Sequence, residues 1–69
     1  MKALVTGATG FIGSQLIKTL ENNGYSLRII SRNNNSDYDT VICDLGNEQI
    51  PESALDSIDI VFHLAGYSH

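Results

Sequence analysis

The hydrophobic residues of this 69-residue chain fall into short consecutive runs and one stretch at helical spacing. Short apolar runs bounded by polar residues are typical of strands that are buried on both faces of a parallel sheet. They predict four strands, at residues 2–6, 26–30, 40–43 and 58–64. Apolar residues that recur every three or four positions predict one helix, from residue 11 to about residue 22. Its apolar stripe consists of Ile12, Leu16, Ile17 and Leu20, and its polar side of Gln15, Lys18 and Glu21.

The order of these elements predicts the fold. Gly24 is expected to end the helix in a left-handed conformation, and Pro51 to begin a short helix through Leu55. Strands that alternate with helices imply a parallel sheet with right-handed crossovers. The predicted fold class is therefore α/β, a partial Rossmann-like doubly wound parallel sheet with strand order 3-2-1-4. In that order a ligand binds above the carboxyl ends of strands one and four, where the winding reverses.

Three glycines, Gly7, Gly10 and Gly13, follow the first strand, and the third lies within the first turn of the helix. This position and spacing predict a cradle for phosphate, in which Gly7 makes the tight turn and Gly10 lets a pyrophosphate approach the backbone. The N–H groups of the first helical turn would point at that anion. Gly13 lies in the apolar stripe, where it would let the helix pack closely on strand one. No Gly-Lys-Ser/Thr follows, which excludes the phosphate loop of nucleoside triphosphatases.

The end of the second strand predicts which dinucleotide is bound. An acidic residue there would accept a hydrogen bond from the ribose 2′-hydroxyl of NAD, but the sequence has Ser31 and Arg32. A guanidinium pairs with a 2′-phosphate, so we predict NADP rather than NAD. The alternative is that Arg32 is an ordinary solvated loop residue. Asp44, after the third strand, is either an acceptor for the adenine amino group or a turn aspartate.

Five other side chains carry possible chemistry, and we predict a catalytic role for none of them. His63 lies in an apolar run and is expected to be a buried, hydrogen-bonded histidine rather than a catalyst. Cys43 is expected to be a small core residue. Tyr67 and His69, with Ser68 between them, follow the fourth strand near the expected nicotinamide position. They are the last residues of the chain, and we predict no catalytic role for them.

Charge and cysteine content narrow the possible partners. Eight acidic and four basic residues give a net charge of −4, which argues against nucleic acid and anionic membranes as partners. The single cysteine cannot form an internal disulfide, and no metal-ligand spacing surrounds it. The chain opens directly into a strand and has no apolar run of membrane-spanning length. We therefore expect a cytoplasmic protein without a leader or membrane anchor.

Several segments together resemble the extended short-chain dehydrogenase/reductase family, the NAD(P)-dependent epimerases and dehydratases. Residues 6–13, Thr-Gly-Ala-Thr-Gly-Phe-Ile-Gly, are similar to the cofactor signature of that family, and residues 61–66, Val-Phe-His-Leu-Ala-Gly, to its fourth-strand motif. The resemblance implies that Gly7, Gly10 and Ile12 lie along the pyrophosphate, Asp44 and Leu45 around adenine, and Leu64, Ala65 and Gly66 beside the inner ribose. The predicted cofactor-binding residues are Gly7, Thr9, Gly10, Phe11, Ile12, Gly13, Ser31, Arg32, Asp44, Leu45, Leu64, Ala65 and Gly66.

The resemblance also implies an activity. Members transfer a hydride between the nicotinamide and nucleotide-sugars or other small carbonyl or hydroxyl substrates. The chain departs from the family in two ways: residues 33–38 are shorter and more polar than the helix many relatives carry there, and the catalytic Tyr-x-x-x-Lys pair is absent. The only lysines are Lys2 and Lys18, so no tyrosine here has the nearby cation that a tyrosine base requires.

We therefore predict that residues 1–69 are the N-terminal part of a dinucleotide-binding domain, inactive alone, from an NADP-dependent epimerase, dehydratase or reductase. One alternative is a non-catalytic NADP-sensing module of the same fold. Another is a folding fragment that no longer binds cofactor. Apolar surface left by the absent substrate-binding part predicts self-association.

Overall fold

The computed structural model describes residues 1–8, 10–33 and 37–64. Along the chain its elements are β1 (Lys2–Thr6), α1 (Phe11–Asn22), β2 (Ser26–Ser31), β3 (Asp39–Ile42), a 3₁₀ helix (Glu52–Leu55) and β4 (Ile60–His63). The four strands pair in parallel in the order β3-β2-β1-β4. The α/β class and the strand order 3-2-1-4 are both confirmed.

The predicted bounds hold for β1 and α1 and shift slightly elsewhere. β4 begins at Ile60 rather than at residue 58, because the chain is still turning there. Ser57 has a positive φ of 63°, and the N–H of Ile58 donates back to the carbonyl of Leu55. Pro51 has an extended backbone and precedes the 3₁₀ helix rather than starting it. These short elements follow from local turns that apolar patterning does not reveal.

The core consists of two apolar clusters, one on each face of the sheet. On the α1 face, α1 packs on residues of β1 and β2; the buried members are Ala3, Val5, Ala8, Ile17, Leu20, Leu27 and Ile29. The opposite face, here called the crossover face, is covered by the chain between β3 and β4. Its buried members are Leu4 and Ile30 of the sheet and Cys43 and Ala54 of the covering chain. Leu4 and Val5 are both completely buried, one in each cluster, as expected for β1, which is one of the two interior strands of the sheet.

Both ends of α1 bear on the predictions made for it. Gly24 has φ of +83°, and the N–H of Tyr25 donates to the carbonyl of Leu20 at 3.0 Å. This is the left-handed cap predicted from the sequence. The exposed positions of the polar side are confirmed too. At the other end the prediction for Ile12 is wrong: the residue is 59% exposed, although the next residue, Gly13, is buried.

Three charged side chains cross the amino edge of the sheet, and we call them the Arg28 cluster: Lys2, Arg28 and Asp39. Asp39 Oδ2 accepts hydrogen bonds from Lys2 Nζ at 3.0 Å and from Arg28 Nε at 2.9 Å. Arg28 Nη1 also donates to the carbonyls of Ala54 (2.9 Å) and Asp56 (2.8 Å), at the end of the 3₁₀ helix. The cluster thereby ties three strands to the segment that covers the crossover face. The hydrogen bonds from Arg28 and Lys2 lower the pKa of Asp39.

The connection from β2 to β3 is short, as the sequence predicts. Its described residues, 32–33 and 37–38, form no helix. Tyr38 instead packs against the α1 face, and its hydroxyl donates to Glu21 Oε1 at 3.3 Å. Burial, followed by the nearby Glu21 carboxylate, raises the pKa of Tyr38. One aromatic side chain therefore covers part of the surface that a crossover helix would cover.

Candidate functional site

A tight turn joins β1 to α1 at the carboxyl edge of the sheet. Gly7 has φ of +72°, a conformation that side chains other than glycine rarely adopt. Its carbonyl accepts the N–H of Gly10 at 3.2 Å, and α1 begins at the next residue, Phe11. The prediction that Gly7 makes the turn is confirmed.

Gly13 lets α1 approach that turn. A β-carbon at position 13 would overlap the carbonyl oxygen of Gly7 and would lie 2.9 Å from Ala8 Cα. Both obstacles are backbone atoms, so they cannot rotate away. The predicted close packing is confirmed, but its partner is corrected: α1 packs here on the turn that leaves β1, not on β1 itself. The fold therefore requires glycine at this position.

Gly10 differs from the other two glycines of the motif. Its φ of −75° and ψ of 171° are open to any residue. A β-carbon there would lie 3.5 Å from the carbonyl oxygen of Gly7, which is an ordinary van der Waals contact. Neither backbone conformation nor internal packing requires glycine at position 10. Close approach of a ligand to this backbone would account for it.

The N-terminus of α1 presents an electropositive surface beside the turn. Among the described residues no side chain caps this end, and the first turn contains no acidic residue. The N–H groups of a first helical turn lack intrahelical acceptors, and the helix dipole adds positive potential. Phe11 and Ile12 flank these amides, with side chains 78% and 59% exposed. The arrangement suits an anion that carries apolar groups, such as a nucleotide diphosphate.

Thr6 joins the ends of β1 and β4, a link that the sequence analysis missed. Thr6 is completely buried, and its Oγ1 lies 2.8 Å from His63 Nδ1. The same oxygen accepts the N–H of Leu64 at 3.0 Å, and Leu64 N–H also approaches the Thr6 carbonyl at 3.2 Å. The bond fixes Leu64 beside the turn at Gly7. A hydroxyl residue at the end of a buried strand was the available signal.

His63 is hydrogen-bonded as predicted, but the prediction that it is buried is wrong. His63 is exposed, because β4 is an edge strand of the described sheet. Apolar neighbours in the sequence therefore did not imply burial here.

The ends of β2 and β3 form a second corner of the carboxyl edge. The N–H of Cys43 donates to the Ser31 carbonyl at 2.9 Å, which continues the pairing of these strands past Ile42. Ser31 Oγ accepts the N–H of Asn33 at 3.2 Å and so shapes the start of the following loop. Arg32, between them, is exposed. Ser31 and Arg32 therefore lie beside the segment that begins at Asp44.

Asp44 starts a turn that its own carboxylate organises. Its Oδ1 accepts the N–H of Gly46 at 3.0 Å, and its Oδ2 accepts Asn47 Nδ2 at 2.9 Å. Its own N–H donates to Glu48 Oε1 at 2.8 Å. The hydrogen bonds from Asn47 and Gly46, and then the positive charge of Arg32, lower the pKa of Asp44. Its role as a turn aspartate is confirmed, and a contact with adenine stays a prediction. Leu45, half-buried, packs on the crossover face.

Six residues named in the sequence analysis lie outside the described residues: Thr9, Ala65, Gly66, Tyr67, Ser68 and His69. Cys43 is a core residue, as predicted; it is 4% exposed, and burial raises the pKa of its thiol. Within residues 1–8, 10–33 and 37–64, no three His, Cys, Asp or Glu side chains are grouped to hold a metal ion. No helix in those ranges is long and apolar enough to cross a membrane.

The chain is similar to known proteins in sequence and in fold. The chain is 38% identical over 68 residues to the bifunctional protein GAL10 of Pachysolen tannophilus, which covers 88% of this chain and 10% of that protein. It is 33% identical to a 3-beta-hydroxysteroid dehydrogenase of Mycolicibacterium neoaurum, over 93% of this chain and 19% of that protein. The solved structure of MoeE5 in complex with UDP-glucuronic acid and NAD superposes with a TM-score of 0.75 and 36% identity, over 93% of this chain and 22% of MoeE5.

The chain thus spans 10% to 22% of the length of these relatives. It contains the strands and the glycine turn at which a Rossmann fold holds a dinucleotide. The model of the NAD dependent epimerase/dehydratase family matches residues 3–69, nearly the whole chain. By this match, and by the sheet and turn that accompany it, the chain belongs to the NAD-dependent epimerase/dehydratase family.

Proposed function

We propose that this chain is the NADP(H)-binding segment of an enzyme that transfers a hydride to or from a nucleotide-sugar or another small carbonyl or hydroxyl substrate. The observation that carries the proposal is the difference between Gly10 and Gly13. The fold requires glycine at position 13, whereas position 10 has room for a side chain and an ordinary backbone conformation. A pyrophosphate that approaches the backbone closely explains glycine at position 10, which neither backbone conformation nor internal packing requires.

Each part of the cofactor has residues that suit it. The turn at Gly7 and Gly10 and the amides that begin α1 would hold the pyrophosphate. Asp44 and Leu45 would contact adenine, and Leu64, with Ala65 and Gly66, the inner ribose. When bound, the nicotinamide supplies a carbon that accepts or donates the hydride. The residues of this chain bind and orient the cofactor, and we assign no proton transfer to any of them.

The preference for NADP rests on the end of β2. MoeE5 was solved with NAD, and the family is described as NAD-dependent. This chain has Ser31 and an exposed Arg32 where an acidic residue would favour the 2′-hydroxyl of NAD. A guanidinium and a hydroxyl are both donors to a 2′-phosphate. That charge is the feature that supports NADP over NAD.

Calorimetric titration of the chain with NADP and with NAD tests the proposal. We expect NADP to bind more tightly, and Arg32→Ala to lower the ratio of NADP to NAD affinity about tenfold, since a charge-assisted hydrogen bond is lost. Lys18→Ala removes an equal charge from the exposed side of α1 and serves as the matched control. An unchanged ratio in Arg32→Ala would refute the NADP preference. Absence of binding to either cofactor by the folded chain would refute cofactor binding itself.

We also propose that two copies of the chain associate through β4. Ile60 and Val61 are 37% and 45% exposed on this edge strand of the described sheet. In an antiparallel pair centred on Val61, Ile60 comes opposite Phe62 of the second copy and Asp59 opposite His63. The register therefore joins apolar residues and sets an acid opposite a base.

Light scattering at rising protein concentration tests this association. We expect a dimer that Val61→Lys converts to a monomer, because a charge on a strand edge opposes pairing. Ile42→Lys, at a still more exposed residue (61%) of the other edge strand, β3, is the control. A monomer at all concentrations, or equal effects of the two variants, would contradict pairing through β4.

A further inference from the structure

The corner where β2 and β3 end holds two opposite charges next to each other. The hydrogen bond from Cys43 N–H to the Ser31 carbonyl, 2.9 Å long, continues the β2–β3 pairing and brings the backbone of Arg32 next to that of Cys43, the residue before Asp44. Arg32 is exposed, and its guanidinium forms no ion pair with any described residue. The positive charge of Arg32 nevertheless acts on the Asp44 carboxyl. Glu48, which accepts the N–H of Asp44, is the second carboxylate at this corner.

Two hydrogen bonds hold the Asp44 carboxylate in position. Gly46 N–H holds one of its oxygens and Asn47 Nδ2 holds the other, at 3.0 and 2.9 Å. These bonds stabilise the charged form, so the carboxylate is ionised at neutral pH. A fixed negative charge therefore stands beside the residue to which we assign the 2′-phosphate.

We propose that Asp44 sets the strength of the cofactor preference, by acting as a counter-charge to Arg32. The inference rests on the proposed function. The carboxylate offsets the positive potential of Arg32 and repels a 2′-phosphate, while it leaves a 2′-hydroxyl nearly unaffected. Asp44 thus limits the preference for NADP without touching the phosphate. It is a specificity-determining residue in addition to any contact it makes with adenine.

Asp44→Asn separates these two roles. The amide oxygen still accepts the N–H of Gly46, while the bond from Asn47 Nδ2 to the second oxygen is lost. NADP and NAD contain the same adenine, so a change in the adenine contact cancels in the ratio of their affinities. We expect this ratio to rise on the order of threefold at low ionic strength, and the increase to shrink as salt is added. Asp44→Ser, which also offers an acceptor to Gly46, gives a second test if the first variant does not fold.

A matched control distinguishes a local charge from net charge. Asp56→Asn removes an equal charge at the 3₁₀ helix, on the amino side of the sheet, and should leave the ratio unchanged. A ratio in Asp44→Asn that stays constant, falls, or merely equals that of Asp56→Asn would overturn the inference while cofactor binding stands. If the folded wild-type chain binds neither NADP nor NAD, the proposed function and this inference both fall.

Discussion

The two edges of the same sheet use their polar groups in opposite ways. At the amino edge, Lys2, Arg28 and Asp39 bond to one another and to the end of the 3₁₀ helix. At the carboxyl edge, the N-terminus of α1 has no side-chain cap among the described residues, and Arg32 extends into solvent. One edge consumes its hydrogen-bonding capacity in holding the fold together. The other keeps donors available for a ligand.

This difference predicts that stability and the proposed cofactor binding depend on separate sets of residues. Substitutions at the amino edge should change the free energy of unfolding and spare cofactor affinity. Substitutions at the carboxyl edge should change cofactor affinity and spare the free energy of unfolding, except where a new side chain would meet backbone atoms. Gly13 is that exception: it lies at the carboxyl edge, yet its substitution should change the free energy of unfolding.

Gly13→Ala should have the largest effect. The new methyl group would overlap the carbonyl of Gly7 and crowd Ala8 Cα, both of which are backbone. We expect a loss of about 3 kcal/mol in unfolding free energy, as for overpacked sites, and a fall in Tm of more than about 10 °C. Thermal unfolding followed by circular dichroism measures it. Gly10→Ala is the control and should unfold within about 1 kcal/mol of the wild type; equal losses in both variants would contradict the distinction.

Arg28→Ala should have the next largest effect. It removes the donor to two carbonyls of the 3₁₀ helix and one partner of Asp39. We expect a loss of about 2 kcal/mol, since the carbonyls and the carboxylate lose charged donors. The midpoint of urea unfolding measures it. Arg32→Ala, at the opposite edge, should leave that midpoint unchanged, and similar shifts in the two variants would argue against separate roles for the edges.

Gly24→Ala should cost about 1 kcal/mol, which is the strain of a left-handed conformation with a β-carbon. The φ of Gly24 is +83°, and no atom lies within 4 Å of the added carbon, so the cost is conformational alone. Ser57→Gly is the opposite test, because Ser57 has a positive φ of 63°. Urea unfolding should show a loss in the first variant and a small gain in the second. A gain in Gly24→Ala would refute the left-handed cap.

The smallest expected effect is a pH dependence carried by Asp39. Its pKa is lowered in the folded state by Arg28 and Lys2, so its stabilisation is present above the unfolded value of 3.8 and is lost as pH falls through the folded pKa. The side chain is 46% exposed, so we expect about 0.5 kcal/mol. Urea midpoints of wild type and Asp39→Asn should differ at pH 6 and converge as the pH falls from 3.8 through the folded pKa. A difference that persists at acid pH would assign the effect to packing.

The sequence was informative where local signals determine structure. The apolar runs, the glycine spacing and the cap at Gly24 predicted β1 and α1, because each depends on neighbouring residues. The sheet order followed from the alternation of strands and helices, which allows few topologies. Exposure of His63 depends on whether another strand covers β4, and no local pattern contains that information. The bonds of Arg28 to the 3₁₀ helix join residues more than twenty positions apart. The turn at Asp44 was foreseen as one of two alternatives, but its charge coupling to Arg32 required the pairing of β2 with β3.

The rate at which a thiol reagent labels Cys43 can report local opening of the structure. Cys43 is the single cysteine, it is 4% exposed, and its thiol has a raised pKa, so a thiol reagent reaches it only when the structure opens locally. Its labelling rate therefore counts the openings of the segment between β3 and the 3₁₀ helix. Cys43 precedes Asp44 at the carboxyl edge of the sheet. A cofactor bound there that reduces local opening would therefore lower the labelling rate. Labelling kinetics can thus report both folding and occupancy without any added probe.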